Sequence, residues 1–408
     1  MTVFEDLKWR GLIQDITSPE LEEKLNKGGM KFYIGTDPTA DSLHLGHYSS
    51  FLITKRLERA GHIPYILVGG ATALVGDPRG TVERELSDKD LINNNFEKMK
   101  QQIQRIFPYE VVNNYDWVKD ITILDFLRNY GKYINVNYMI NKDLVKRQME
   151  TGISFAEFSY MLIQGLDFKH LYQTKGIELQ VAGSDQWGNI TTGIELIRKI
   201  LGSEAFAFTM PLVTDSKGTK FGKSEGNAIW LDKEKTSVYE LYQFLINAED
   251  EVIMEYLKRL TFLSKEEIEL IANEHKEAPH LRIAQKRLAE EIITDIHGKE
   301  EYEKAVQISK NLFNGNIKEV SAKDLLVGLK DVPSFNLHEG ENIVDVLVNN
   351  EICSSKREAK EFLASGAITV NGDVVKNQDI CFTINDAIDN KILVIRRGKK
   401  KYYLGKFE

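Results

Sequence analysis

Cysteine is scarce in this sequence. Among its 408 residues there are two, Cys353 and Cys381, and both lie in the last quarter of the chain. Small secreted domains that depend on disulfides carry cysteines in larger, regularly spaced sets. The sequence therefore excludes a disulfide framework and favours a reducing compartment, which we expect to be the cytoplasm.

Long apolar runs are missing as well. The most apolar stretch, residues 66–76, is shorter than the roughly 20 residues that cross a bilayer, and glycines interrupt it. The first eight residues have neither the basic start nor the apolar core of a signal peptide. We therefore expect no membrane partner.

The chain also carries no excess of positive charge, since its formal net charge is −8. This excludes a surface that binds nucleic acid over its whole extent. The charge is unevenly distributed, however, because residues 391–408 hold seven Lys or Arg against one acidic residue. A local nucleic-acid site in this part of the chain stays open.

A P-loop is absent, but residues 37–47 offer another way to bind phosphate. They read Asp-Pro-Thr-Ala-Asp-Ser-Leu-His-Leu-Gly-His and connect a strand-like run, residues 31–34, to a segment with helical spacing. Free backbone N–H groups at a helix N-terminus suit an anion. His44 and His47 add two imidazole donors, and Gly46 leaves room for a flat ring. Zinc is the rival ligand, but no cysteine accompanies the histidines at ligand spacing.

A second motif lies far downstream. Lys220-Phe-Gly-Lys-Ser224 follows a strand-like run, residues 208–213, within a loop punctuated by glycine. It differs from a P-loop because Gly218 and Gly222 are too close together and no helix signal follows at once. Two lysines on a loop suit a charge that develops only in a transition state.

In this order and separation the two motifs resemble the paired signatures of the class I aminoacyl-tRNA synthetases, His-Ile-Gly-His and Lys-Met-Ser-Lys-Ser. The resemblance covers the whole chain and is greatest to the bacterial tyrosyl-tRNA synthetases. It implies an α/β fold: a Rossmann-like catalytic domain with a parallel sheet, an all-α domain and a small α+β domain of the S4 type. The alternation of strands and helices before residue 219, and the amphipathic helices beyond the lysine loop, agree with this order.

We predict four segments. Residues 1–219 form the Rossmann-like domain with a helical insertion, and residues 220–330 hold the lysine loop and the helical domain on the anticodon side. Residues 331–341 are a linker, and residues 342–408 are the S4-like RNA-binding domain. Within the last, Asn371-Gly372 is the turn signal of a β-hairpin.

The resemblance implies a site for tyrosine. The tyrosine-binding residues that it carries over are Tyr33, Asp77, Asn114, Tyr160, Gln164, Asp167 and Gln180. Of these, Tyr160 and Gln164 would contact the substrate ammonium group, while Tyr33 and Asp167 would contact its phenol hydroxyl. Without the resemblance, Tyr160 would be assigned to the core and Asp167 to a solvated helix face.

The resemblance also implies a site for ATP. The ATP-binding residues are Gly35, Asp37, His44, Gly46, His47, Gly183, Asp185, Gln186, Lys220 and Lys223. The residues that stabilise the reacting phosphates are Thr39, His44, His47, Lys220, Lys223, Ser224 and Arg84. ATP is a substrate here, with Mg²⁺ expected beside it, and we expect no protein-bound metal or prosthetic group.

One segment departs from the family. After Gly76-Asp77-Pro78 the relatives carry a longer loop with a lysine and an arginine that reach the pyrophosphate. Here the loop is shorter and lacks the lysine. Arg84 matches the family arginine, and Arg79 is a candidate substitute for the lysine.

In the S4-like domain the resemblance implies binding of tRNA. The RNA-binding residues are Lys356, Arg357, Arg396, Arg397, Lys399, Lys400 and Lys401. The expected partners are tRNA(Tyr), L-tyrosine, ATP and a second copy of the chain in a homodimer. The expected function is tyrosine–tRNA ligase, and the alternatives are a tryptophanyl-type synthetase and a catalytically silent RNA-binding paralogue.

Overall fold

A computed structural model describes residues 1–76, 88–141, 145–146, 149, 152–224, 227–314, 316–330, 332–398 and 401–407; at 223–224, 227 and 313–314 only the backbone is described. The chain forms two compact units. The first comprises Met1–Lys235 and Glu249–Ala284, and the second comprises Thr236–Ala248 and Gln285–Glu408.

The first unit is built on one sheet. Its strands are β1 (Asp15–Ile16), β2 (Lys31–Thr36), β3 (Ile63–Val68), β4 (Glu110–Asn113), β5 (Leu179–Gly183) and β6 (Phe206–Met210). Their order across the sheet is β1-β6-β5-β2-β3-β4. Strands β2 to β6 are parallel, and β1 pairs antiparallel with β6 at the edge. A parallel sheet needs cover on both faces, which explains the buried apolar residues along β2, β3, β5 and β6.

Helices connect these strands and continue beyond the sheet. Up to residue 201 they are α1 (Val3–Trp9), α2 (Glu20–Lys27), α3 (Leu45–Arg59), α4 (Gly70–Val75), α5 (Lys89–Ile106), α6 (Tyr115–Val118), α7 (Ile123–Asn129), α8 (Val136–Ile140), α9 (Phe155–Lys175) and α10 (Trp187–Leu201). The next helix, α11 (Val238–Ile246), belongs to the second unit. The first unit resumes with α12 (Ile253–Leu260) and α13 (Lys265–Glu277). A short hairpin of β7 (Lys223–Ser224) and β8 (Asn227–Ala228) follows the lysine motif.

The ends of α9 are well defined by its sequence. Ser154 caps the helix by accepting from the backbone N–H of Glu157, and the Glu157 carboxylate accepts from the N–H of Ser154 in return. Gly176 ends the helix in the left-handed conformation, with φ of 67°. These two caps fix where the helix begins and ends, and therefore the face of the helix on which Tyr160, Gln164 and Asp167 lie.

The strand order places a ligand site. Within the sheet, β2 lies between β3 and β5, so the chain continues to β3 on one side of β2 and returns later as β5 on the other. In open parallel sheets, ligands bind beyond the carboxyl ends of the strands where the order reverses in this way. That point lies here beyond Thr36 of β2 and Gly183 of β5.

The second unit combines helices with a small sheet. Besides α11, its helices are α14 (Ile283–His297, from Gln285 onward), α15 (Lys299–Asn314), α16 (Ala322–Gly328), α17 (Ile343–Asn349) and α18 (Lys356–Ala364). Its strands are β9 (Ser334–Leu337), β10 (Ile368–Val370), β11 (Asp373–Val374), β12 (Ile392–Arg397) and β13 (Lys401–Phe407), in the order β11-β10-β12-β13-β9. Their buried side chains pack with those of α17 and α18 in one core.

The predicted hairpin is confirmed. Asn371 and Gly372 join β10 to β11 with φ of 48° and 90°. A two-residue turn between antiparallel strands requires positive φ at both positions, and Asn-Gly tolerates it best.

The segment 331–341 differs from its prediction as a linker. Residues 334–337 form β9 and pair in parallel with β13. Asp331-Val-Pro and the polar residues near Gly340 resemble a connection, but the alternation of exposed and buried positions along β9 supplies a strand. The pairing partner is about 70 residues away, so the local sequence does not reveal it.

Candidate active site

A cavity of about 680 Å³ opens at the strand ends of the first unit. It brings together most of the residues that the sequence analysis assigned to the tyrosine and ATP sites. The predicted residues that line it are Tyr33, Gly35, Asp37, Thr39, His44, Gly46, His47, Tyr160, Gln164, Asp167, Gln180, Gly183, Asp185, Gln186 and Lys220. Two motifs separated by about 170 residues therefore share one wall.

The two histidines cap helix α3. The Nδ1 atom of His44 accepts from the backbone N–H of His47 at 3.3 Å, and Nδ1 of His47 accepts from the N–H of His44 at 3.2 Å. Their rings stack with centroids 3.8 Å apart. Because both Nδ1 atoms accept, each neutral ring carries its proton on Nε2. The helix start thus presents two imidazole N–H groups, which are donors suited to phosphate oxygens.

The structure gives Gly46 a packing role in addition to the predicted room for a flat ring. A Cβ atom there would lie 2.9 Å from the His44 ring and 3.3 Å from the Phe221 carbonyl oxygen. A larger residue would therefore collide with groups of the protein itself. On the other side, a Cβ at Gly222 would lie 2.8 Å from the Gly46 nitrogen, and Gly222 has φ of 84°. Two glycines let the lysine loop touch the start of α3.

Backbone hydrogen bonds extend this contact. Leu45 N–H donates to the Ile229 carbonyl at 2.8 Å, and Leu231 N–H donates to the Leu43 carbonyl at 2.9 Å. Ile229 N–H in turn donates to the Gly222 carbonyl at 2.7 Å. Residues 229–231, which follow the lysine loop (residues 215–224), are thereby paired with the histidine segment (residues 37–47). Main-chain contacts therefore fix the two motifs to each other.

The side of the cavity that the sequence analysis assigned to ATP is exposed and charged. The Lys220 ammonium lies 3.7 Å from the Asp185 carboxylate, and both side chains are about half exposed. Two groups of opposite charge at this distance in solvent interact weakly. Both are therefore available to a charged ligand.

The other side of the cavity is a buried polar network. The Asp37 carboxylate accepts from the Thr72 hydroxyl at 2.7 Å and from the Tyr160 hydroxyl at 3.2 Å. Thr72 also accepts from the Asn114 amide at 3.1 Å. Asn114 is fully buried and supports this wall from behind.

Asp167 lies at the centre of the network. Its carboxylate accepts from the Asn114 amide at 3.0 Å and from the Trp117 indole N–H at 2.9 Å, and the residue is 1% exposed. Burial raises the pKa of Asp167 to about 7, although these two hydrogen bonds oppose the rise. Its charge therefore changes near neutral pH.

Two polar atoms beside Asp167 have no hydrogen-bond partner among the described residues. They are the hydroxyl of Tyr33 and the amide oxygen of Gln180, which lie on paired positions of β2 and β5. Burial, with a smaller contribution from Asp167, raises the pKa of Tyr33 well above its ordinary value, so the hydroxyl stays protonated. Buried polar atoms without partners are costly. Their position in the cavity wall indicates a ligand that supplies the missing partners.

Some predicted residues lie outside what the structure describes. Those outside it altogether are Asp77, Arg79, Arg84, Lys399 and Lys400, and those with undescribed side chains are Lys223 and Ser224. Their assigned roles remain predictions.

Three residues of the site went unnoticed in the sequence. Thr72 and Arg259 line the cavity, and Trp117 donates to Asp167. Thr72 follows Gly69-Gly70, whose place after a buried strand was a usable signal. Trp117 and Arg259 carried none, because a tryptophan in a short helix and a basic residue in an amphipathic helix are both ordinary.

Three of the basic residues predicted to bind RNA, Lys356, Arg357 and Arg397, lie in or against α18. Lys356 and Arg357 begin this helix and pair with Asp345 and Glu361. Arg397 on β12 donates to the Ile352 carbonyl and its guanidinium lies 5.6 Å from the Phe362 ring. Arg397 therefore also supports the fold. The remaining predicted residues, Arg396 and Lys401, lie on β12 and β13.

Comparison with known proteins decides the family. A family model described as "tRNA synthetases class I (W and Y)" matches residues 25–314. A second, described as "Tyrosine--tRNA ligase SYY-like C-terminal domain", matches residues 324–405. The chain belongs to the class I tRNA synthetases. The resemblance inferred from the two motifs, and the fold class inferred with it, are confirmed.

Similar proteins agree over the full length. The chain is 51% identical to the tyrosine–tRNA ligase of Bacillus velezensis, covering 98% of this chain and 99% of the relative. It is 50% identical to that of Streptococcus thermophilus, covering 99% of each. Among solved structures, a C-terminally truncated mitochondrial tyrosyl-tRNA synthetase of Aspergillus nidulans is 34% identical, with a TM-score of 0.68 over 76% of this chain and 94% of that one. As a class I tRNA synthetase, this chain is an aminoacyl-tRNA ligase.

The part of the chain that the structure describes contains neither a membrane-spanning helix nor a cluster of metal ligands. No helix there is long and apolar enough to cross a membrane. Nor does that part of the chain hold a group of three or more His, Cys, Asp or Glu residues that could bind a metal ion.

Proposed function

We propose that this chain is a cytoplasmic tyrosine–tRNA ligase. In the first step the carboxylate of L-tyrosine attacks the α-phosphorus of ATP, so that a new P–O bond forms and pyrophosphate leaves. In the second step a ribose hydroxyl at the 3′ end of tRNA(Tyr) attacks the carbonyl carbon of tyrosyl-adenylate, and AMP leaves. Full-length relatives at about 50% identity carry this name.

The unpartnered atoms beside Asp167 carry the choice of amino acid. A phenol hydroxyl can donate to the Asp167 carboxylate and accept from the Tyr33 hydroxyl, both of which lie in one buried pocket. Phenylalanine leaves these groups unpaired, which is costly in a dry site. The buried end of the cavity therefore selects a ring that carries a hydroxyl group.

The polar network next to Asp167 is suited to bind the ammonium group of the substrate. Tyr160 and Gln164 lie on α9 on the same side of the cavity as Asp167 and, with Asp37, supply oxygen acceptors. The ammonium group prefers such acceptors. Asp77, which was assigned to the tyrosine site without a particular substrate group, remains a prediction from the family resemblance.

The exposed end of the cavity receives ATP. The nucleophile is already an anion, so the reaction needs no general base; it needs positioning and stabilisation of charge on the phosphates. His44, His47 and Lys220 are suited to this role, together with Thr39, Lys223, Ser224 and Arg84. Gly183 ends β5, Asp185 and Gln186 follow it, and the three residues suit the ribose. Mg²⁺ arrives as part of the MgATP substrate, held mainly by phosphate oxygens and water.

Pyrophosphate exchange into ATP, run with each standard amino acid in turn, tests the proposal. We expect exchange with tyrosine and no other amino acid. Exchange with tryptophan instead would favour the tryptophanyl type, which the same family model includes. No exchange with any amino acid would favour the silent paralogue.

The second unit is the proposed tRNA-binding part. Lys356 and Arg357 are well exposed, and each forms an ion pair at the surface, with Asp345 and Glu361 respectively. Phosphate contacts of this kind release counterions, so tRNA affinity should fall steeply as the salt concentration rises. Filter binding of tRNA over a range of salt concentrations measures the slope. Lys356→Ala with Arg357→Ala should make it shallower, and an unchanged slope would remove this face from the proposal.

The proposed assembly is a homodimer. Helix α7 buries none of its residues and exposes three large apolar side chains, and helices α8 and α9 each expose one. The exposed residues are Ile123, Leu124, Leu127, Val136 and Phe155. Large apolar side chains left exposed in this way are typical of an interface between copies. Sedimentation equilibrium should give a dimer, and Leu124→Glu should shift it toward the monomer.

A further inference from the structure

Asp41 lies outside the residues assigned to substrates, yet it receives two lysines. Lys98 of α5 donates to one carboxylate oxygen at 3.1 Å, and Lys235 donates to the other. Asp41 belongs to the histidine segment, whereas Lys235 follows the lysine loop. These hydrogen bonds lower the pKa of Asp41, with Lys235 as the larger cause, so the carboxylate stays ionised at neutral pH.

Lys235 also reaches the catalytic cavity through one intermediate residue. Its ammonium lies 5.1 Å from the centroid of the Trp230 ring. That ring packs edge-on against His44, with centroids 6.1 Å apart, and the backbones of Trp230 and His44 form a bridge. Asp41, Lys235, Trp230 and His44 thus form a continuous chain of contacts at the foot of the lysine loop.

We propose that Asp41 and Lys235 form a clasp that holds the lysine loop against the histidine segment, which makes Lys235 a positioning residue for adenylate formation. The inference rests on the proposed function for its kinetic part. The main-chain pairs between residues 43–45 and 229–231 set the register of the two segments. The clasp adds a charge-assisted hydrogen bond between Lys235 and Asp41, just beyond the end of this main-chain pairing.

The location explains why a clasp is useful. Lys217 and Lys220 are exposed on the lysine loop. Because like charges repel each other, these lysines favour release of the loop from its docked position into solvent. Asp41 is 27% exposed and Lys235 is 36% exposed, so the pair is partly shielded from water. Pairs of this kind contribute modestly, which predicts a change in rate of about two- to fivefold rather than a loss of activity.

The test uses Asp41→Asn, Lys235→Gln, the double variant and Lys235→Arg in the full chain. The first readout is the single-turnover rate of tyrosyl-adenylate formation, with equilibrium binding of tyrosine measured beside it. Each single variant should slow the rate about two- to fivefold and leave tyrosine affinity unchanged. The double variant should be no slower than the slower single variant, since both single variants remove the same bond between Asp41 and Lys235. Lys235→Arg should retain the wild-type rate.

The second readout does not depend on activity. Trypsin binds its substrate as an extended segment, so a loop that is held less firmly should be cut faster after Lys217 and Lys220 in both single variants. Lys175→Gln is the matched control, because Lys175 forms another long-range ion pair, with Glu110, away from the cavity. It should change neither readout. Thermal unfolding identifies a variant that fails to fold, and the partner variant then carries the test.

The outcomes separate the two proposals. A wild-type protein without tyrosine-dependent exchange would overturn the proposed function, whereas the trypsin result would still judge the clasp. Wild-type rates together with unchanged cleavage in both single variants would overturn the clasp. So would rate losses that multiply in the double variant, because they would mean that the two residues act separately.

Discussion

The two ends of the catalytic cavity differ in almost every physical respect. At the amino-acid end, Tyr33, Asn114 and Asp167 are at most 2% exposed, and hydrogen bonds hold the amide and the carboxylate in place. At the nucleotide end, Asp185 and Lys220 are about half exposed and form one weak ion pair. One end is preorganised, and the other is loosely held.

The difference follows from what each end must do. Discrimination between amino acids depends on buried groups that are costly to leave unpaired, which requires a dry and rigid pocket. Stabilisation of a phosphate charge that grows during the reaction depends on cations that meet it only then. A loop is suited to this, because the cations can stay hydrated until ATP binds. Variants at the two ends should therefore fail in different kinetic parameters.

The largest effect is expected from His47→Ala at the nucleotide end. The proposed role of its imidazole N–H is to stabilise the reacting phosphates, and the loss of one such donor typically costs about a hundredfold in rate. Tyrosine affinity should stay nearly unchanged, because His47 is assigned to the ATP site and not to the tyrosine site. Single-turnover kinetics and equilibrium binding of tyrosine separate these quantities. Lys223→Ala should behave in the same way, and a large loss of affinity with an unaltered rate would contradict the separation of the two ends.

Gly222→Ala should come next, with about a tenfold slower adenylate formation. An alanine there would be strained at φ of 84°, and its Cβ would lie 2.8 Å from the Gly46 nitrogen, so the loop could not dock on α3. Gly218→Ala is the matched control, since Gly218 has φ of 82° but open space around it. Equal losses in both variants would mean that backbone strain, and not the contact with Gly46, explains the effect.

The sequence predicted the exposed end better than the buried one. Each of the two motifs, residues 37–47 and residues 220–224, is one continuous stretch of the sequence. The chemistry of a helix start with two histidines can therefore be inferred from the local sequence. The buried end depends on pairs such as Asn114 with Asp167 and Thr72 with Asp37, which are far apart in the chain. From residue types alone, Asp167 looked like a solvated position. The family resemblance, rather than periodicity, assigned it to the pocket.

The fold shows the same division. Alternating strands and helices and the Asn371-Gly372 turn are local signals; the alternation agrees with the class that the family resemblance implied, and the turn predicted the hairpin. Strand β9 was missed because its partner, β13, lies about 70 residues further along the chain. The contact between Gly46 and Phe221 could not be predicted either, because it depends on the docked lysine loop. Long-range pairing decides what a local pattern leaves open.

At the amino-acid end, Tyr33→Phe should reduce kcat/KM for tyrosine about three- to tenfold, the contribution of one neutral hydrogen bond. Use of phenylalanine should stay the same. The free protein should become slightly more stable, because the variant removes a buried hydroxyl that has no partner among the described residues. Denaturant unfolding and relative kcat/KM values measure both effects. Tyr65→Phe, on the paired position of β3, is the control and should leave the preference unchanged.

The smallest effect concerns pH, and it follows from the pKa of about 7 that burial gives Asp167. A raised pKa means that the free protein holds the neutral carboxyl below this value and the carboxylate above it. With phenylalanine, Asp167 keeps its bonds from Asn114 and Trp117 but lacks the bond from a phenol hydroxyl, and this loss costs more for a buried carboxylate than for a neutral carboxyl. Selection of tyrosine over phenylalanine should therefore weaken as the pH falls through about 7.

The ratio of kcat/KM for tyrosine to that for phenylalanine, measured between pH 6 and pH 8, should fall about two- to fivefold toward the acid side. Titration of the substrates cancels in this ratio, because both carry the same ammonium and carboxylate groups. Tyr33 does not contribute, since burial keeps its pKa well above this range. Asp167→Asn cannot ionise and should give a ratio that is lower than wild type at pH 8 and independent of pH. A wild-type ratio that stayed constant, or rose toward acid, would mean that Asp167 holds the same charge in both complexes throughout this range.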